Sequence, residues 1–131
     1  MAALRIAQVE KGWLSTETMD FIAHYLEMPP IAVYEVASFY NMYELQPVGK
    51  YKINVCTNLS CTLVGAVDLV EHLKSHLGIE LGETTDDGKF TLRESECIGA
   101  CGDAPLCTLN NHKMFSFLTP EKIDKILAEL E

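Results

Sequence analysis

Four of the five cysteines in this sequence form two pairs, and their spacing constrains the fold more than any other feature. Cys56 and Cys61 have four residues between them, and Cys97 and Cys101 have three. A stretch of 35 residues separates the two pairs. If all four thiols act on one centre, the fold must therefore bring two distant loops together.

Composition and charge limit the cellular compartment and the class of partner that we expect for this chain. No apolar run approaches the ~18 residues that span a bilayer, and the N-terminal residues lack the apolar core of a signal peptide. We therefore expect a reducing compartment and no direct membrane insertion. Paired cysteines there bind metal or carry out redox chemistry more often than they form structural disulfides. The net charge of −9 argues against nucleic acid and favours a protein partner with a basic docking surface.

Residues 1–48 predict a small helical domain. The pattern indicates helices over about 2–11 and 16–27, the second with Ser15 as its N-cap. Two prolines break the second helix and start a third over about 31–43. Pro47 and Gly49 then mark a boundary, so we expect a second domain over 49–131.

The third helix is unusually rich in aromatic residues. Val33, Val36, Ala37 and Tyr40 form its apolar stripe, which predicts a core helix. Aromatic side chains also occur on its other sides, and these either complete the core or pack on another subunit. Short helices with tight turns also resemble a DNA-binding motif, but the acidic balance disfavours that interpretation.

The second domain predicts a β-α-β-β-β-α order. A strand ends at Cys56, a loop and a helix run on to Leu77, and a strand over 89–96 leads to Cys97. A hairpin through Asn110-Asn111-His112 and a helix from Pro120 follow. One parallel crossover and a terminal hairpin predict an α+β fold, a thioredoxin-like four-stranded mixed sheet with flanking helices. Pro105 is a candidate for the cis proline of that fold.

Both cysteine pairs follow strands of the predicted β-α-β unit. Parallel neighbouring strands end at the same edge of a sheet, so the pairs can converge there. Four thiolates are the usual ligands of an iron–sulfur cluster, and two pairs suit the two irons of [2Fe–2S]. Gly99 and Gly102 allow close approach of the backbone to sulfur. Zinc and thiol–disulfide chemistry stay open, although zinc sites usually have tighter pairs and Cys56 has no C-x-x-C partner.

Other candidate ligands are assigned ordinary roles. Cys107 lies in the third predicted strand and is interpreted as a small buried hydrophobe. His72 and His76 have the i, i+4 spacing of a helical metal site, but we interpret them as part of a solvated face. Asp103, beside the second pair, is interpreted as a solvating residue of its loop.

Several segments together closely resemble the family of [2Fe–2S] subunits of respiratory complex I, the NADH-quinone oxidoreductase. The resemblance covers essentially the whole chain, and the C-x3-C loop with its following Ala-Pro is its most specific part. The residues that carry it are Ala7-Gln8, Gly12-Trp13-Leu14-Ser15, Pro29-Pro30, the stretch 33–43, the C-x4-C pair and the stretch 96–105.

The resemblance implies a thioredoxin-like ferredoxin domain behind a helical domain, with Cys56, Cys61, Cys97 and Cys101 as ligands of a [2Fe–2S] cluster. It implies a partner subunit that binds NADH and FMN and carries a [4Fe–4S] cluster. Single electrons would pass between the [2Fe–2S] cluster and this FMN, so no complete active site lies in the chain alone. It also implies a cytoplasmic location, peripheral on the inner face of the cytoplasmic membrane through the complex.

Family members usually have a further N-terminal helical segment before the stretch that begins here at Ala3, so we expect a shortened helical domain. Other functions compete with the complex I assignment. One is the equivalent diaphorase subunit of an NAD-linked hydrogenase or formate dehydrogenase. A four-cysteine zinc interaction module and a free thioredoxin-like oxidoreductase are the others.

Overall fold

The computed structural model describes residues 1–130 and divides into two compact units, Met1–Val48 and Gly49–Glu131. Within the described residues, no helix combines the length and the apolar character needed to cross a membrane. Each unit has its own buried cluster of hydrophobic side chains.

The first unit contains three helices, α1 (Ala2–Lys11), α2 (Thr16–Tyr25) and α3 (Pro30–Phe39). The Ser15 hydroxyl accepts a hydrogen bond from the Thr18 N–H at 3.2 Å, which satisfies one free donor of the first turn of α2. Helix α3 ends earlier than predicted because Tyr40 adopts an extended backbone. Tyr40 therefore leaves the apolar stripe and is exposed.

The core of this unit takes one stripe from each helix. The Gln8 side chain fixes the segment after α3, because it donates to the Met42 carbonyl at 2.8 Å and accepts from the Glu44 N–H at 2.7 Å. The buried residues of this core are Leu4, Leu14, Met19, Ile22, Ala23, Val33, Ala37 and Tyr43.

The second unit is a four-stranded mixed sheet of spatial order β2-β1-β3-β4, which confirms the predicted fold class. Strand β1 pairs parallel with β2 and antiparallel with β3, and β3 pairs antiparallel with β4. Asn110 and Asn111 turn the β3–β4 connection with positive φ, as predicted. The elements are β1 (Tyr51–Cys56), α4 (Leu59–Thr62), α5 (Ala66–Leu77), β2 (Phe90–Ser95), β3 (Cys107–Leu109), β4 (Lys113–Phe115) and α6 (Pro120–Leu130).

Helices α5 and α6 bury their apolar stripes in the same core as the sheet. Leu69, Val70 and Leu73 of α5 join Ile123 and Leu127 of α6 in this cluster. Gly49, just before β1, is required by close packing, since a Cβ there would lie 2.9 Å from the Lys89 carbonyl oxygen. One local prediction was wrong, because the predicted loop after β1 contains the short helix α4.

Candidate [2Fe–2S] site

The two cysteine loops leave the sheet at one edge. Cys56 is the last residue of β1 and lies opposite Ser95, the last residue of β2. The Thr57 N–H donates to the Ser95 carbonyl at 3.1 Å, which extends the pairing by one step. Cys97 follows two residues after β2, so both pairs start from the same end of two hydrogen-bonded strands.

The first loop places both of its cysteines in the protein core. The Cys56 N–H donates to the Leu106 carbonyl at 3.1 Å, and Cys61 lies in α4. The Thr62 hydroxyl donates to the Thr57 carbonyl at 3.0 Å and ties α4 back to the end of β1. Cys56 is 3% exposed and Cys61 is 1% exposed. The fold therefore buries both thiols of the first pair.

The second loop is built differently. Cys97 and Cys101 are both exposed. Gly99 between them has φ +78°, a left-handed conformation that side chains rarely adopt. Cys101 begins a 3-10 turn that ends at Asp103. The cis peptide bond that the sequence indicated as a candidate joins Ala104 to Pro105 just beyond this turn.

Hydrogen bonds to sulfur bring the two loops together. Burial, the largest single influence, raises the pKa of Cys56. The N–H of Asn58, the thiol of Cys61 and the N–H of Ile98 all donate to the Cys56 sulfur and together hold its pKa below the ordinary value. Ile98 belongs to the second loop, so this loop contacts the sulfur at the end of β1.

Cys61 makes a second connection. Burial is the main cause that raises the pKa of Cys61 to about 11. The hydrogen bond that its thiol donates to Cys56 and the negative charges of Cys56 and Cys101 act in the same direction. The Leu106 N–H acts in the opposite direction by donating to the Cys61 sulfur. Cys101 of the second loop is thus close enough to Cys61 for their charges to interact.

The residues present fit a [2Fe–2S] cluster. The thiols of Cys56 and Cys61 interact directly, Cys101 is close enough to Cys61 for their charges to interact, and Cys97 begins the same loop as Cys101. Three backbone N–H groups also act on the Cys56 and Cys61 sulfurs. Backbone donors of this kind stabilise sulfur that carries negative charge. These donors belong to Asn58, Ile98 and Leu106, whereas the sequence had indicated the backbone at Gly99 and Gly102 as the part that approaches sulfur.

Cys107 lies apart from this arrangement. Its side chain is 2% exposed and packs in the main core with Ile53, Leu92 and Leu118. Cys56 and Cys61 instead belong to a separate buried cluster with Ala66 and Leu106. Burial raises the pKa of Cys107 to about 12, so this thiol stays protonated at neutral pH. The structure therefore gives Cys107 the packing that the sequence indicated.

The histidine pair on α5 has a neighbour that the sequence did not indicate. His72 Nε2 lies 2.7 Å from Asp124 Oδ1, and His76 Nδ1 lies 3.4 Å from the same oxygen. Asp124 is on α6, 52 residues after His72, so no local spacing links them. Only the packing of α5 and α6 in one core places these three side chains together.

Three relatives found by comparison with known proteins are named as parts of an NADH-quinone oxidoreductase or an NADH dehydrogenase. The E subunit of the NADH-quinone oxidoreductase of Rickettsia felis is 46% identical over 127 residues, which cover 96% of this chain and 75% of the relative. NADH-quinone oxidoreductase subunit 2 of Thermus thermophilus is 40% identical over 130 residues, which cover 99% of this chain and 72% of the relative. The mitochondrial NADH dehydrogenase [ubiquinone] flavoprotein 2 of Dictyostelium discoideum is 46% identical over 109 residues, which cover 82% of this chain and 44% of that protein.

Solved structures agree on the fold. The crystal structure of an air-oxidised NAD+-reducing [NiFe]-hydrogenase superposes with a TM-score of 0.85 at 23% identity. The match covers 98% of this chain and 22% of the hydrogenase chain. Residues 1–131 also match the family described as thioredoxin-like [2Fe-2S] ferredoxin. The chain therefore belongs to the thioredoxin-like [2Fe–2S] ferredoxin family, whose cofactor is a [2Fe–2S] cluster.

Proposed function

We propose that Cys56, Cys61, Cys97 and Cys101 hold the [2Fe–2S] cluster, and that the chain is the iron–sulfur electron-transfer subunit of an NADH:quinone oxidoreductase. The observation that carries this proposal is the meeting of both cysteine loops at one sheet edge, where Ile98 and Ala100 of the second loop pack against the buried cluster that contains Cys56 and Cys61. When bound, a [2Fe–2S] cluster supplies one-electron transfer. The chain's own residues supply the ligands, the N–H donors and the partial exclusion of water.

The proposed ligand pairs differ in exposure, so one side of the site is more accessible to a partner than the other. Cys56 and Cys61 are buried, whereas Cys97 and Cys101 are exposed. Electron transfer between proteins weakens with distance, so the accessible side is the favourable one for exchange. We therefore assign exchange with the partner to the side of Cys97 and Cys101.

Exposed apolar side chains flank this edge and support a protein partner there. Phe117 is 60% exposed, and its N–H donates to the Asp103 carbonyl at 2.9 Å, next to the second loop. Large hydrophobic and aromatic residues are enriched where proteins bind one another. In and after α4, the exposed apolar residues are Leu59, Leu63, Val64 and Val67.

The partner in this proposal is the subunit that binds NADH and FMN and carries a [4Fe–4S] cluster. The relatives are subunits of multi-subunit NADH dehydrogenases, in which NADH oxidation belongs to the complex. Single electrons pass between the FMN of that subunit and the cluster of this chain. The chain then lies peripherally on the inner face of the cytoplasmic membrane, held there through the complex.

Residues 1–48 form a helical domain that we assign to partner binding, with 49–131 as the ferredoxin domain. Three helices of ten residues each bury one stripe and leave large apolar side chains exposed. The proposal follows from these side chains, which burial in a partner would remove from water. They include Phe21, Tyr25, Ile31 and Phe39.

The first experiment measures iron, acid-labile sulfide and zinc on anaerobically purified protein, with an EPR spectrum after dithionite reduction. We expect about two iron and two sulfide per chain and a rhombic S = 1/2 signal. Cys107→Ala is the matched control for each ligand variant and should keep the spectrum. Zinc without sulfide, or bleaching by Cys107→Ala alone, contradicts the ligand assignment.

A second experiment tests the docking edge with the FMN-binding subunit of the same complex. Leu63→Ala should weaken binding of the holoprotein by on the order of tenfold, because this side chain would lose an apolar contact. Leu81→Ala is the matched control, since Leu81 is exposed in the turn before β2 and outside both cysteine loops. Equal affinity of both variants and the unchanged protein contradicts docking at this edge.

A further inference from the structure

A second cluster of potential metal ligands lies on the helical face of the sheet unit, outside the two cysteine loops. It consists of His72 and His76 of α5 and Asp124 of α6. The ligand atoms of the three side chains all lie within 4.8 Å of one another. We propose that this cluster is a second metal site, which binds a divalent transition ion of the Zn2+ class and joins α5 to α6.

The distances need little change to admit an ion. In tetrahedral zinc sites the bonds to histidine nitrogen and carboxylate oxygen are about 2.0–2.2 Å, which puts neighbouring ligand atoms about 3.3–3.6 Å apart. His76 Nδ1 is already 3.4 Å from Asp124 Oδ1, and His72 Nε2 is 2.7 Å from it. The His72–Asp124 pair has to open by a fraction of an ångström. The two imidazole nitrogens lie within 4.8 Å of each other, and rotation of these partly exposed side chains adjusts that separation.

Helix geometry fixes two of the ligands in advance. His72 and His76 are one turn apart on α5, and their ring centroids are 6.1 Å apart. The apolar stripes of α5 and α6 are buried in one core, so the backbone that carries all three ligands is held rigidly. Ligands that are already in place cost little ordering entropy when the ion binds.

The 3.4 Å contact of His76 also favours an ion over a simple hydrogen-bonded triad. A normal N–H···O hydrogen bond spans 2.7–3.2 Å, so Asp124 satisfies His72 but holds His76 only weakly. One carboxylate oxygen thus faces two imidazole nitrogens. A cation bound by all three ligand atoms would give both imidazole nitrogens and the carboxylate oxygen a strong partner.

The surroundings are acidic and open to solvent. The side chains of His72, His76 and Asp124 are 32%, 41% and 39% exposed, so an ion can reach them. Glu121, one turn before Asp124 on α6, lies within electrostatic range of both Asp124 and His72. On the other side, His76 lines a groove that also contains Asp86 and Asp87.

The donor set selects the class of ion. Two imidazoles and one carboxylate suit Zn2+, Ni2+ and Cu2+, whereas Mg2+ and Ca2+ prefer sites made of oxygen ligands. Three protein ligands leave at least one position for water. The sequence alone favoured a solvated face for the two histidines, and the placement of Asp124 by α6 is what changes that interpretation.

The test is a calorimetric titration of the untagged holoprotein with Zn2+, with the cluster absorbance recorded throughout. We expect one Zn2+ per chain with a Kd on the order of micromolar and an unchanged cluster spectrum. His76→Gln should weaken binding by at least about tenfold, and Asp124→Asn should do the same. His112→Gln, which alters an exposed histidine of the β3–β4 turn, is the control and should bind normally.

X-ray absorption at the zinc edge identifies the ligands independently of any variant. The proposed site gives only nitrogen and oxygen neighbours at about 2.0–2.1 Å, whereas cysteine ligation gives sulfur at about 2.3 Å. Because His76 is exposed, His76→Gln should leave thermal unfolding of the zinc-free protein unchanged. A sulfur shell, no saturable binding, or equal affinity of His76→Gln and the unchanged protein overturns the proposal.

Discussion

The two cysteine loops that we assign to one cluster site are made in opposite ways. The Cys56–Cys61 loop continues a central strand into a short helix and buries both of its cysteines, and backbone N–H groups act on both sulfurs. The Cys97–Cys101 loop is exposed and depends on a left-handed glycine and a 3-10 turn. The difference shows that the fold builds half of the site as core and leaves the other half accessible.

The largest effect is expected from substitution of a buried cysteine. Cys61→Ser should reduce bound iron by on the order of tenfold and destabilise the holoprotein by more than about 2 kcal/mol, because the buried ligand cannot be replaced by movement. Cys97→Ser should retain several times more iron, since its exposed loop can adjust. Iron and sulfide analysis with thermal unfolding measures both effects, and equal iron content in the two variants contradicts the comparison.

A smaller effect isolates the backbone of the exposed loop. Gly99→Ala places a side chain at φ +78° and should cost about 1–2 kcal/mol, although a Cβ there meets no neighbouring atom. Gly102→Ala is the matched control, because its φ is not in the left-handed region and its surroundings are equally open. Urea unfolding of both holoproteins measures the difference. Equal stability of the two variants would show that the loop carries no such constraint.

A third prediction separates burial from ligation through Cys107. Its pKa of about 12 in the folded protein lies above the ordinary value of 9.0, so the protonated thiol stabilises the fold below pH 9 and this stability is lost as pH rises toward 12. Between pH 8 and pH 10 the loss should be about 1.4 kcal/mol. Cys107→Ala should lack this component of the pH dependence, and chemical unfolding at the two pH values measures it.

The smallest expected effect concerns the contact that ties α4 to the end of β1. Thr62→Val removes the hydroxyl that donates to the Thr57 carbonyl at 3.0 Å and should cost about 0.5–1 kcal/mol. Thr57→Val is the matched control, since its hydroxyl reaches only an exposed Glu94 oxygen at 3.3 Å. Urea midpoints at constant slope measure both. If Thr57→Val loses as much stability as Thr62→Val, the contact between α4 and the end of β1 has no special role in holding the first loop.

The periodicity of apolar residues and the positions of glycine and proline predicted most of the fold. The helix from Ala2 to Lys11 and the strand ending at Cys56 were predicted at the observed residues, because a left-handed Gly12 and an alternating apolar pattern mark them. The third helix was predicted too long, since nothing in its residue types reveals that Tyr40 turns to an extended backbone. Tertiary packing decided that end, and no local pattern records it.

The convergence of the two cysteine loops was predictable from the sequence, but their different burial was not. Spacing singled out the two cysteine pairs, and strand order predicted that they meet. The burial of one pair depends on α4, which is only four residues long and too short to give a periodic signal. Asp124 was missed for a related reason, because its neighbours His72 and His76 lie on another helix 52 and 48 residues earlier in the chain.

The hydrogen bond from Ile98 to the Cys56 sulfur has a consequence for how the protein matures. It holds the second loop against the end of β1 through the backbone and leaves the Cys97 and Cys101 thiols facing solvent. Iron and sulfide that reach the folded chain from solvent therefore meet these two thiols first. We expect the exposed thiols of Cys97 and Cys101 to bind iron first and the buried thiols of Cys56 and Cys61 to bind it last.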